Sequence, residues 1–187
     1  MKKLTKVSTL LLLAAVFFTG CKEPEDATSG ANSSPLFSES ETTVEISGSA
    51  IVLADGAWIY KHVDVYLDNW HVEECEMTVT DGVPRVTKGT TTVKQTIPDT
   101  VTDEQIELSK ASVESEGGTF RREGNTIYVS ANMDEEDLND IEDTLAGFIT
   151  SSITLKTNDD RTKYYYYSEE ENPAGGIVTR ADYLMKK

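Results

Sequence analysis

After about residue 40, apolar and polar positions alternate along much of the chain, the pattern of strands with one face buried. From Val72 to Thr80, Cys75, Met77 and Val79 fall on one side, and Glu74, Glu76, Thr78 and Thr80 on the other. This predicts a half-buried antiparallel strand. Asp81-Gly82 is a turn signal, and Val83 to Thr87 and Thr90 to Ile97 flank Lys88-Gly89 as a candidate hairpin closed off by Pro98. Thr42 to Ile46 and Ser49 to Leu53 are short β-rich runs around Gly48. Ala57 to Trp70 is ambiguous: Ile59, Val63, Leu67 and Trp70 can share a helix face, while its β-branched and aromatic residues suit a strand. Gln105 to Val113 reads as a strand, although Thr102 and Gln105 have capping-box spacing and can open a helical turn instead. Thr119 to Arg122 and Thr126 to Ser130 face each other across Glu123-Gly124-Asn125. Ile149 to Leu155, Thr162 to Ser168 and Ile177 to Met185 supply the remaining strands.

Met133 to about Ala146 breaks the alternation. Leu138, Ile141 and Leu145 make one helical stripe, Asn132 can cap it, and Asp134 to Asp137 suit the positive end of a helix dipole. Gly147 is a natural stop. The same dipole accounts for the acidic cluster, which lacks the order of a calcium loop. The expected fold class is therefore mostly β: a small antiparallel barrel or sandwich with one amphipathic helix near residues 133–146.

The first twenty residues follow another pattern. Lys2, Lys3 and Lys6 precede an unbroken apolar run from Leu10 to Phe18, and Thr19-Gly20 are small residues before Cys21. This is the layout of a secretory signal peptide, too short to span a membrane. Phe18-Thr19-Gly20-Cys21 resembles the lipobox of bacterial lipoproteins, although that family usually carries Leu at the position of Phe18. The resemblance implies cleavage between Gly20 and Cys21, lipid on the Cys21 sulfur, and a membrane as partner through the anchor. Lys22 to Ser40 holds little apolar material beyond Leu36 and Phe37 and reads as a tether. The expected organisation is thus a signal peptide at 1–20, a flexible tether at 21–40 and a β-rich domain at 41–187. By the same resemblance, the lack of Asp after the cysteine favours the outer membrane, and Lys22-Glu23 with Glu25-Asp26 is similar to tags that send lipoproteins to the cell surface. The domain is then expected on the periplasmic or external face.

Charge narrows the function classes. The chain carries 17 basic and 33 acidic residues, a net charge of −16, and the part after residue 20 carries 14 basic residues against all 33 acids. Phosphate neutralisation needs clustered Lys and Arg, so nucleic acid is not an expected partner. With Cys21 acylated, Cys75 is alone and reads as a buried small hydrophobe. There are two histidines, no Gly-x-Ser-x-Gly, no His-Glu-x-x-His and no phosphate-binding loop. The chain is therefore not expected to be an enzyme, and no cofactor is expected. His71, Glu73, Cys75 and Met77 share one strand face, which makes His71 and Cys75 weak metal-ligand candidates with His62 or Asp64 completing a site. Side chains two apart on a strand stand about 7 Å apart, so the four cannot converge on one ion, and the expectation is no metal.

Gly56-Ala57-Trp58 matches the Gly-x-Trp element of lipocalins, and Arg121 to Val129 is similar to hairpins of lipocalin-like bacterial lipoproteins. The resemblance implies a barrel with Trp58 packed at its closed end and a small apolar ligand inside; Trp58, Trp70 and Tyr128 are the ligand-binding candidates. Tyr164 to Tyr167, two facing each way on a strand, offer either core packing or outward contacts. Two functions stay open: a lipocalin-like binder of an apolar ligand, or an envelope interaction protein without one.

Overall fold

The computed structural model describes residues 44–46, 51–151, 154–158, 160–173 and 175–187. Residues 1–43, with Gly20, Cys21 and the tether, lie outside them. The order is β1 (Val44–Ile46), β2 (Gly56–Tyr66), β3 (Asn69–Thr80), β4 (Val83–Thr96), α1 (Asp103–Ser115), β5 (Thr119–Glu123), β6 (Thr126–Asn132), α2 (Glu135–Thr150), β7 (Leu155–Thr157), β8 (Lys163–Glu171) and β9 (Ile177–Lys186). The protein is mostly β, and all nine strands belong to one antiparallel sheet, ordered β1-β7-β8-β9-β2-β3-β4-β6-β5.

Among the described residues that sheet is open. Strands β1 and β5 stand at opposite ends without pairing to each other, so the closure expected of a barrel is missing. A sandwich would divide the strands between two sheets, and here they share one.

Both helices lie against the same face. Helix α2 sets Ile141, Leu145 and Ile149 against Trp58, Cys75 and Met77, and β7 and β9 add Leu155 and Leu184. Trp58, Met77, Leu145 and Leu184 are fully buried, each worth about 1.5–3 kcal/mol or more of apolar burial. Helix α1 packs Ile106 and Val113 on Ile97, Ile127 and Val129 at the β5–β6 side. A third cluster, Val63, Ala181 and Tyr183 with Val65, Val72 and Tyr165, lies on the opposite face and contains no helical residue.

Several expectations change against this frame. Two helices are found where one was expected, because the capping box at Thr102 wins: Gln105 N donates to Thr102 Oγ1 (3.3 Å) and the Gln105 side chain accepts from Thr102 N (2.9 Å). The Gln105–Val113 tract is therefore helix α1. Helix α2 is capped by Asp134, not Asn132, and passes Gly147 to Thr150 because Ile149 extends the buried stripe past Leu145. Ile149 consequently lies in the helix, and strand β7 starts only at Leu155. Of Ser49 to Leu53, the described residues 51–53 form no strand; Ile51 N instead donates to Ile149 O (3.0 Å). The ambiguous tract resolves into strand β2 and a tight turn at Leu67-Asp68.

The hairpin expected at Lys88-Gly89 is not a turn. Strand β4 runs straight through it, and the glycine serves a close approach: an added Cβ would collide with Met133 Sδ and stand 2.9 Å from Cys75 Sγ. Beside it the β3–β4 register shifts between Glu76 and Met77, with Thr87 as the extra residue on β4, a bulge that changes the phase of β4 so that Val86 as well as Gly89 faces the α2-covered core. The Asp81-Gly82 turn joins β3 to β4 with φ of 53° and 75°, the left-handed pair that a two-residue hairpin requires. The β5–β6 hairpin forms as expected, with Glu123 opposite Thr126.

Candidate functional site

Two regions concentrate chemistry, one on each face of the sheet. On the helix-covered face, strands β9, β2, β3 and β4 bring Asp182, His62, Glu73 and Thr91 into one cross-strand row, and Arg180, Asp64, His71 and Val93 into the next. Period-two alternation makes this inevitable, since each residue lies an even number of positions along its strand from an inward-facing neighbour such as Tyr60, Cys75 or Leu184.

Asp182 is the hub of the first row. Its Oδ1 accepts from Tyr60 Oη (2.7 Å) and from His62 Nδ1 (2.8 Å), while His62 Nε2 faces Asp64 Oδ2 at 3.3 Å. Burial by itself would lower the His62 pKa, but bonds to Asp182 and Asp64 outweigh it and raise it to about 10. The ring is thus an imidazolium at neutral pH and donates from both nitrogens. Burial likewise works against the Asp64 carboxylate, and the His62 bond with the His62 and Arg180 charges reverses that, holding Asp64 below its ordinary value. Arg180 Nε donates to Asp64 (3.1 Å), and its other end reaches Glu170 (3.1 Å). Burial and the Asp182 charge push Tyr60 far upward, so its hydroxyl stays a donor.

His71 behaves oppositely. Burial depresses its pKa against the pull of Glu73 and Asp64, leaving a neutral ring whose Nε2 sits 2.8 Å from Thr91 Oγ1 and 3.7 Å from Glu73. A base beside a hydroxyl invites a nucleophile reading, but Thr91 is only 1% exposed. Glu73 stands by the same nitrogen that holds Thr91, so it cannot orient the ring through the other one as a triad acid does. Every fully buried side-chain nitrogen and oxygen among the described residues has a partner. The network is a satisfied polar seam between the two helix-covered apolar clusters.

The metal candidates lie apart. His71 and Cys75 are four residues distant on one strand, about 14 Å, and no group of three or more His, Cys, Asp or Glu among the described residues has metal-binding geometry. Cys75 Sγ packs on Met133 Sδ (3.6 Å); burial first, then Glu73 and Glu74, raise its thiol pKa to about 12. At the start of α2, Asp134, Glu135 and Glu136 border a depression open to solvent, where Asp134 already accepts from Glu136 N (3.0 Å) and Asp137 N (3.1 Å) as a cap.

The three ligand candidates separate between faces. Trp58 is fully buried under α2, stacked on Tyr164 at 6.2 Å, with its indole N–H given to Ala54 O (2.8 Å). Trp70 and Tyr128 are half-buried on the opposite, open face. There Val65, Trp70, Lys94, Tyr128 and Arg121 form one row across β2, β3, β4, β6 and β5, and the Arg121 guanidinium lies 4.2 Å over the Tyr128 ring. The adjacent row holds Val63, Val72, Thr92 and Ser130, with Thr92 Oγ1 donating to Ser130 Oγ (3.2 Å).

The tyrosine run divides as its alternation predicts. Tyr164 and Tyr166 face the helices, the latter edge-on to Phe148, while Tyr165 stacks on Tyr183 at 5.0 Å on the open face beside the 45%-exposed Tyr167. Sequence reasoning missed the Asp182 hub, because its meaning depends on β9 pairing with β2 more than a hundred residues away. It also missed Lys94 and Arg121, which look unremarkable until register sets them beside Trp70 and Tyr128. No helix among the described residues is long and apolar enough to cross a membrane. No protein-family model, no curated protein and no solved structure matches this chain.

Proposed function

We propose that this chain is the precursor of a lipoprotein held to the outer membrane through Cys21, and that its β-domain is a non-catalytic binding module working through the open face of its sheet. The observation carrying the binding reading is the asymmetry of the sheet: two helices cover one face, while the other presents Tyr165, Tyr167, Trp70 and Tyr128 with the half-buried Val65 and Val72, packed over the fully buried Val63 and Ala181. Exposed aromatic rings offer large contact area at little entropic cost. The anchor reading is supported by the basic start, apolar run and Gly20-Cys21 junction. An apolar ligand inside a lipocalin-like barrel has weaker support, since helix side chains fill the space against Trp58 and the sheet edges stay apart.

The test is made in a double-membrane bacterium expressing the full chain. Cys21→Ser abolishes acyl labelling and leaves uncut precursor; normal cleavage and membrane retention of that variant overturn the anchor. A photo-crosslinker at Tyr167 captures an envelope component that one at Leu108, exposed on α1, does not. Equal capture from both positions, or none from Tyr167, overturns the open-face reading.

A further inference from the structure

The open face alternates aromatic and cationic side chains along one row, Trp70 on β3, Lys94 on β4, Tyr128 on β6 and Arg121 on β5. Adjacent strands lie about 4.8 Å apart, so the two cations recur at roughly 10 Å, as do the two rings. The neighbouring row supplies the Thr92 and Ser130 hydroxyls, and Thr179 on β9 another. In a chain of 33 acids, neither row carries a carboxylate from β9 through β6. The acids of this face stand outside that stretch: Glu74 paired with Lys61 (3.8 Å) and Glu76 with Lys187 (2.9 Å) further along β3, Glu169 and Glu171 on β8, and Glu123 with Arg121 on β5. Among the described residues Lys94 has no acidic partner, and Arg121 is held in place by the Tyr128 ring under it.

From this juxtaposition we propose that the row binds an acidic polysaccharide, one carrying carboxylates along an extended chain; the proposal rests on the open-face reading and names its ligand class. A sugar ring has an apolar C–H face that stacks on an indole, hydroxyl edges that exchange hydrogen bonds with Thr92 and Ser130, and here a carboxylate for Lys94 or Arg121. The strip contains all three partners in register. A nucleic acid or an anionic lipid surface fits worse. Each presents dense negative charge to a chain of net charge −16, and two cations neutralise too little of it. Sparse carboxylates spaced along a largely neutral chain match two cations spaced two strands apart.

The experiment uses the full chain in detergent, titrated with hyaluronate oligosaccharides (a carboxylate on alternate sugars), dextran (none) and single-stranded poly(dT), with anisotropy as readout. Hyaluronate binds, and Lys94→Ala, Arg121→Ala and Trp70→Ala each weaken binding by about tenfold or more, the loss expected for a charge-assisted contact or a stacked ring. Dextran and poly(dT) bind at least about tenfold more weakly. Trp70→Phe, which keeps a ring on the strand, retains most of the affinity and guards against misfolding of the alanine variant. Dextran binding equal to hyaluronate, tighter poly(dT) binding, or indifference to Lys94→Ala and Arg121→Ala overturns the proposal. If hyaluronate fails while capture from Tyr167 persists, the glycan is wrong and the open-face reading stands; if both fail, both fall.

Discussion

The Sγ of Cys75 and the Sδ of Met133 meet at 3.6 Å, and the space beside them is closed by the hydrogen of Gly89. A methyl group there would collide with Met133 and press within 3.0 Å of Leu138 Cδ2. Gly89→Ala is expected to cost about 1–3 kcal/mol in denaturant unfolding, the range for overpacking a core. Adding Met133→Ala should make the Gly89→Ala step smaller. An unchanged midpoint for the single variant would show that strand β4 can shift away.

Burial and two nearby acids make Cys75 a poor nucleophile. With its thiol raised to about 12, the native protein should leave Cys75 unmodified by iodoacetamide at pH 8, and full labelling should appear only on unfolding. Mass spectrometry of briefly labelled protein lacking Cys21 gives the answer, and stoichiometric native labelling is the contrary result.

His62 and His71 should pull stability in opposite directions with pH. Because His62 rises from 6.5 to about 10 on folding, its contribution is complete below about 6.5 and is lost as pH climbs through 10. His71 is lowered, so the unfolded chain takes up its proton first and stability declines as pH falls below about 6.5. The depressed Asp64 adds a further loss as pH falls through its lowered value. Proton NMR should show one imidazole titrating near 10 and another below 6.5, and Asp182→Asn should bring the first back toward the ordinary range. A His62 signal titrating near 6.5 in the unaltered protein contradicts the hydrogen-bond network.

Leu67 holds a left-handed conformation, φ 52°, at the β2–β3 turn, and its side chain is 60% exposed. A branched residue there carries strain of about 1–2 kcal/mol that glycine avoids. Leu67→Gly should therefore stabilise the protein by up to about 1 kcal/mol after glycine's own entropic cost. Thermal and denaturant midpoints decide; a clear loss would mean that Leu67 packs usefully in a way its exposure conceals.

Local patterning was the readable part of this fold. Alternation located β3, β6, β8 and β9, and Asp81-Gly82 marked its hairpin, because those signals act within a few residues. The failures came where a distant partner decides. Gly89 imitates a turn residue until Met133 and Cys75 are placed against it. Gln105 to Val113 is apolar enough for a strand, and its helix depends on the Thr102 cap and on Ile127 and Val129 beneath it. Trp58, Trp70 and Tyr128 could be singled out as aromatic, yet only register reveals that the first faces the core and the other two face away. The same holds for the polar seam, whose members come from strands that are neighbours in the sheet and strangers in the sequence.

Strand β9 lies between β2 and β8, so Tyr60 waits for Leu184 and His62 for Asp182 before the middle of the sheet exists. Loop closure over such separations is slow, and until it happens β2 offers a bare, hydrogen-bond-hungry edge. A chain emerging from synthesis can form the β2–β3–β4 meander early but cannot seal it. On the proposed lipoprotein reading, in which the chain is threaded unfolded across a membrane, this topology acts as a timer: the native state is withheld until the last strand has arrived.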